Sequence, residues 1–166
     1  MTETARCFET PFIVIYQNFT PGLLTSESEA LGKITLGCEL GWGNSISVEG
    51  VSIGRNGVLE VAIKHNQIRE RANEHYKLAD DSQRIVEMIK QDCFVPAPWP
   101  GHYEPLINCG KLVKLGELVG LLHDFNRIDD PPEPIKSKVD GYVIAQSWSA
   151  PVEKGQHIFV IGIPIK

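Results

Sequence analysis

The first histidine of this chain is His65, and none of its five histidines falls in an H-x-x-E pair, an H-E-x-x-H helix or an i, i+4 pair. The helical metal signatures are therefore missing. There is no G-x-G-x-x-G, no Walker loop and no G-x-S-x-G elbow, the marks of dinucleotide sites, phosphate-cradling loops and serine hydrolases. The four cysteines, Cys7, Cys38, Cys93 and Cys109, show neither C-x-x-C nor zinc-finger spacing. Reduced, mostly buried thiols in a cytoplasmic protein are expected from them. Positive charge is short as well, with 16 Lys and Arg against 21 Asp and Glu and a net charge of −5. That balance offers no footprint for nucleic acid or for an anionic membrane. No apolar run approaches the length of a membrane span, and the first residues lack the apolar core of a signal peptide.

What is present is an ordinary globular composition, 166 residues with 42% hydrophobic and 22% charged. It suits one domain or two small ones. The most informative stretch is residues 33–43, Lys-Ile-Thr-Leu-Gly-Cys-Glu-Leu-Gly-Trp-Gly. Ile34, Leu36 and Cys38 alternate with smaller or polar residues, which predicts a strand with one face on a core. It runs into Glu39, with Gly37, Gly41 and Gly43 clustered about it, where backbone or ligand can come close. A carboxylate so placed is a candidate general base facing a cleft. The plainer alternative is a solvated carboxylate at the end of a strand.

Before this stretch, residues 12–16 form a continuous β-branched apolar run, the pattern of a strand buried on both faces of a parallel sheet. Thr20-Pro-Gly predicts a turn, and Ser26 with Glu29 a capping box opening a short helix that ends at Gly32. Strand, helix, strand is the unit of an α/β fold. After Gly43, Val51, Val58, Leu59, Ala62 and Ile63 recur at helical spacing, with Ser47 as N-cap and Lys64 and His65 at the C-terminal end. Gly54 and Gly57 on this helix point to close packing, here against the sheet. Residues 69–82 are polar and highly charged and are read as a linker between domains 1–68 and 83–166.

The second part alternates short apolar runs with Gly and Pro, which predicts a small β-barrel or sandwich. It also repeats itself. Gly101-His-Tyr-Glu-Pro leads to Val113-Lys-Leu-Gly-Glu, and about forty residues later Gly141-Tyr-Val-Ile leads to Val152-Glu-Lys-Gly-Gln. Two interlocking halves with pseudo-two-fold symmetry follow from this echo, joined by a stiff connection over residues 129–134. His102 and Glu104 flank Tyr103 and would share one face of a strand, at most half a metal site.

Residues 20–43, the helix after them, and the Gly-His-Tyr-Glu-Pro … Val-x-x-Gly … Val-Asp-Gly-Tyr-Val … Val-x-x-Gly pattern together resemble the succinylglutamate desuccinylase/aspartoacylase family. The resemblance implies α/β plus β: part of a zinc-carboxypeptidase-like sheet, then a lipoyl-like barrel-sandwich hybrid. It further implies hydrolysis of the amide of an N-acyl amino acid, with zinc held by a His-x-x-Glu pair and a later His. Glu39 matches, by its Glu-Leu-Gly context, the glutamate that activates water there. Only 38 residues precede Glu39, and they hold no histidine, so the chain is expected to be the C-terminal half of such an enzyme. On that expectation the complete enzyme uses zinc, and none is expected in this chain alone. A complementing N-terminal half or a homo-oligomer would be its partner. A non-catalytic carrier or adaptor, or a subunit-interaction module, built on the lipoyl-like barrel is the alternative, although Lys136 and Lys138 lie outside the Met-Lys-Met or Asp-Lys-Ala motif of such carriers.

Overall fold

The structure, a computed structural model, describes residues 1–16, 20–69 and 83–165. The chain divides into two compact units, Met1–Ile13 with Gln17–Arg84, and Val14–Tyr16 with Ile85–Lys166. Most of the expected linker lies outside the described residues.

In the first unit, helix α1 (Thr2–Ala5) and a 3-10 turn (Arg6–Phe8) precede strand β1 (Phe12–Ile15). Thr20-Pro-Gly does turn: Leu23 N–H bonds the Thr20 carbonyl at 3.1 Å, with Gly22 at φ +80° as a type II turn requires. Helix α2 (Leu24–Ala30) starts earlier than the expected capping box, with Leu23 at the N-cap position. Ser26 is buried inside the first turn. Its Oγ accepts from Thr20 N–H at 3.1 Å, and Glu27 Oε1 accepts from Gly22 N–H at 2.9 Å. The side chains therefore satisfy the turn before the helix, not the helix's own amides. The stop is as expected. Gly32 sits at φ +74° and bonds back to the Glu29 carbonyl while Lys33 N–H bonds that of Ser28, the paired closure of a Schellman motif.

The expected strand at residues 34–39 does not form; residues 33–40 are irregular. Alternation suits a strand, but a strand also needs a neighbour to take its backbone groups, and no described residue supplies one. Helix α3 (Val48–Lys64) follows as read, with Ser47 Oγ accepting from Gly50 N–H at 2.9 Å. Its glycines do admit close neighbours, although not a sheet. A Cβ at Gly50 would stand 2.5 Å from the Leu40 carbonyl oxygen, and one at Gly57 would strike the Phe8 ring.

The second unit is built from short strands: β2 (Arg84–Glu87), β3 (Phe94–Pro96), β4 (Gly101–Pro105), β5 (Leu112–Val113), β6 (Leu118–His123), β7 (Glu133–Lys136), β8 (Gly141–Gln146), β9 (Pro151–Val152) and β10 (His157–Pro164). One sheet runs β1-β2-β10-β8-β5, with β3 also on β10; the other runs β7-β6-β4-β9. The run at residues 12–16 therefore joins this sheet rather than an α/β one. Bonds from Arg84 N–H to Pro11 and from Met88 N–H to Ile15 advance along both strands together, so β1 pairs parallel to β2. Only Ile13 of β1 is buried, as suits an edge.

The sequence echo becomes a geometric one. Strands β3 to β6 correspond to β7 to β10, and each half lends its shortest strand to the other: β5 pairs with β8, and β9 with β4. Equivalent bonds recur, Gly116 N–H to the Ser137 carbonyl at 2.8 Å and Gly155 N–H to that of Ala97 at 2.9 Å. Gly101 and Gly141 are equivalent as well. A Cβ at Gly101 would stand 2.6 Å from the His123 carbonyl oxygen, and one at Gly141 would strike that of Gly162. The connection between the halves is residues 124–132, longer than expected because β6 ends at His123, although β7 already begins at Glu133.

The core matches in pairs across the halves, Val113 with Val152, Val119 with Ile158, Leu122 with Ile161, all buried. Symmetry breaks where Phe159 stands opposite Gly120 in the repeat. Tyr103 fills that difference, its ring edge-on to Phe159 at 5.6 Å and so near Gly120 that a Cβ would be 2.6 Å away. The Tyr103 hydroxyl is buried with no partner among the described residues, and burial first, then the nearby Cys109, raises its pKa. An unpaired buried hydroxyl costs about 1–3 kcal/mol. Tyr103→Phe is therefore expected to stabilise the chain by about 1 kcal/mol, read as a higher urea midpoint at unchanged slope; a lower midpoint would contradict it.

Candidate functional site

Glu39 is placed by its neighbour. Leu40 lies against α3 where Gly50 and Gly54 leave room: a Cβ at Gly54 would stand 2.9 Å from Leu40 Cδ1. On the other side the chain turns through Gly41 at φ +135° and Gly43 at φ +58°. The Glu39 side chain is thus held by an anchored backbone while the residue itself is exposed. No hydrogen bond or ion pair to a described residue ties up its carboxylate. It is free to exchange a proton with whatever occupies that space. Partial desolvation of the adjacent Cys38 sulfur and then the Glu39 charge push that thiol up, which disfavours its thiolate.

All four cysteines are free, as expected, but only Cys93 is buried; Cys38 and Cys109 are exposed and Cys7 is intermediate. The expectation of mostly buried thiols fails because Cys38 and Cys109 fall in loops outside any packed element. Among the described residues no group of three or more His, Cys, Asp or Glu converges to hold a metal ion. His75 lies outside those residues. His102 and Glu104 do share the outer face of β4, and sequence reasoning missed their neighbour. The β4–β6 register sets His123 directly across from His102, and His123 Nε2 lies 2.7 Å from Glu104 Oε2. Phe125 adds a ring 4.8 Å from His102. Glu104 is therefore engaged with an imidazole. Only the strand register, which two separate runs do not reveal, could have brought His123 in.

A carrier module would present a lysine at the tip between the halves. Residues 124–132 contain none; Arg127 is there, bonded to Asp124 at 2.9 Å and 3.3 Å from Asp130. This arginine draws the Asp124 carboxyl below its usual range. Lys136 is on β7, away from the tip.

The first unit thus carries an exposed glutamate between an anchored leucine and two glycines with positive φ, and the second is a duplicated β unit. The comparisons bear out the resemblance to the succinylglutamate desuccinylase/aspartoacylase family, over about half the length of such chains. No family model matches the chain. Among curated proteins it is 24% identical over 160 residues to N-alpha-acetyl-L-2,4-diaminobutyric acid deacetylase of Halomonas elongata, covering 96% of this chain and 46% of that one. Among solved structures, the product-bound ectoine utilization protein EutE of Ruegeria pomeroyi aligns at a TM-score of 0.86 and 26% identity, covering 98% of this chain and 48% of that one. The succinylglutamate desuccinylase/aspartoacylase of Rhodobacter sphaeroides aligns at 0.85 and 28%, covering 99% and 50%. The Halomonas and Rhodobacter relatives are deacylases by name, and the chain spans about half the length of all three. No helix among the described residues is long and apolar enough to cross a membrane.

Proposed function

We propose that this chain is the C-terminal part of a cytoplasmic, zinc-dependent amidohydrolase that deacylates an N-acyl amino acid or related small amide, with Glu39 as general base. The observation that carries this reading is the likeness of nearly the whole chain to the Ruegeria and Rhodobacter structures. In this reading residues 1–68, apart from the 12–16 run that joins the β sheet, belong to the catalytic α/β domain, 69–82 link, and 83–166 form the barrel-sandwich hybrid. The exchange of short strands between the two β halves supports that last assignment.

The chemistry asked of Glu39 is proton transfer. Its carboxylate takes a proton from water as the water oxygen bonds to the acyl carbon. It then gives a proton to the amine nitrogen as the C–N bond breaks, and ends as it began. Zinc, where the complete enzyme binds it, supplies Lewis acidity for that attack. The residues described here do not fit such an ion: Glu39 has no ligand cluster beside it. In this reading the ligands lie outside the described residues.

The chain alone is accordingly expected to hold no stoichiometric zinc after dialysis, because a zinc site needs about three or four protein ligands. It should also release no amine from N-acetyl-2,4-diaminobutyrate, the kind of substrate its Halomonas relative is named for. Elemental analysis and an amine-release assay check both. About one zinc per chain, or zinc-dependent turnover by the unaided chain, would place the ligands within it and overturn this division of labour.

A further inference from the structure

Within the first unit, residues 34–40 keep the alternation of a strand, yet none of their backbone groups bonds to a described residue. Thr35 Oγ1 in the same stretch is buried without a partner. The chain then passes Trp42 and Ile46, 72% and 85% exposed, to α3. That helix turns Gly50, Ile53 and Gly57 inward, but its opposite face also presents Val48, Val51 and Val58, with Val48 91% exposed and Arg55 among them. A helix apolar on opposite faces has the pattern of one enclosed between layers. An unpaired strand is a template for another strand. Among the described residues both lack a cover, on the same stretch of chain.

The lengths of the relatives favour one occupant. Each relative is about twice the length this chain matches, so each carries a further portion as large as the whole of it. We infer that a polypeptide equivalent to that unmatched portion docks on this unit. It adds a strand beside residues 34–40 and lays apolar surface over Trp42, Val48, Val51 and Val58. Strand addition needs no covalent link between the two. The occupant's identity rests on the deacylase reading above; the docking itself requires no turnover.

The test is amide hydrogen exchange on this chain, alone and mixed with the unmatched portions of the Rhodobacter sphaeroides and Halomonas elongata relatives, each produced as a separate polypeptide. Alone, amides 34–40 should exchange close to open-chain rates; in the mixtures they should slow about tenfold or more. Leu36→Pro removes an N–H that has no acceptor here. It should leave the circular dichroism of the chain unchanged and abolish the protection. Val51→Asp with Val58→Asp should abolish it too, without touching the 34–40 backbone. Protection of 34–40 in the chain alone, with a doubled mass, would assign the face to a second copy and overturn the inference. Exchange unaffected by either portion, or a Leu36→Pro chain protected like the wild type, would overturn it as well. Protection without amide hydrolysis would uphold the docking and count against the deacylase reading, so the two can fail separately.

Discussion

Glu39→Gln, in an enzyme assembled from this chain and the portion proposed to complete it, is expected to lower kcat by about 10²–10⁴-fold. Glutamine keeps the side-chain length and a hydrogen-bonding oxygen, so substrate binding and zinc content should hold while proton transfer is lost. The anchored position of Leu40 between Gly50 and Gly54 makes the comparison clean, because the backbone that carries residue 39 does not depend on its carboxylate. Steady-state kinetics with metal analysis on the same preparation read the effect. Near-normal turnover would return Glu39 to a solvated carboxylate in a loop. A fall in KM-related binding with kcat intact would make it a substrate contact instead.

Phe159→Ala is expected to destabilise the second unit by about 3–5 kcal/mol. Phe159 is fully buried in the core cluster and meets the Tyr103 ring edge-on. Its repeat counterpart is Gly120, whose missing Cβ is what admits Tyr103. The neighbouring core side chains are carried on paired strands, so the void is expected to collapse only in part and a cavity term to remain. Urea unfolding followed by far-ultraviolet circular dichroism gives the number. A loss below about 1 kcal/mol would mean that the two sheets close onto each other and the core is more plastic than its packing indicates.

Local chemistry was largely legible in the sequence, and pairing was not. Ser47 as a cap and Gly32 as a stop depend on atoms within a few residues, and both stand where expected. The short strands of the second part were readable because Gly116 and Gly155, at φ +81° and +83°, punctuate them. Residues 34–40 show the limit. Alternation records which side chains suit a strand, not whether another strand is near, and here none of the described residues is. For the same reason the residues 12–16 run was read as an α/β strand, although it lies beside β2. His123 escaped notice because a register couples two runs that look independent. The role of Glu39 rested on family resemblance more than on any local pattern, and its exposure leaves that role to be tested.

The lending of β5 to β8 and of β9 to β4 bears on how such a unit can arise. A peptide carrying only one half would have a short strand with nowhere of its own to lie, and a gap where the borrowed one belongs. Two copies of that peptide would complete each other, His102 of the first kind of half meeting Pro151 of the second, and Leu112 meeting Tyr142. The duplicated unit is thus the single-chain form of a dimer, in which the linker at residues 124–132 has replaced an encounter between two molecules.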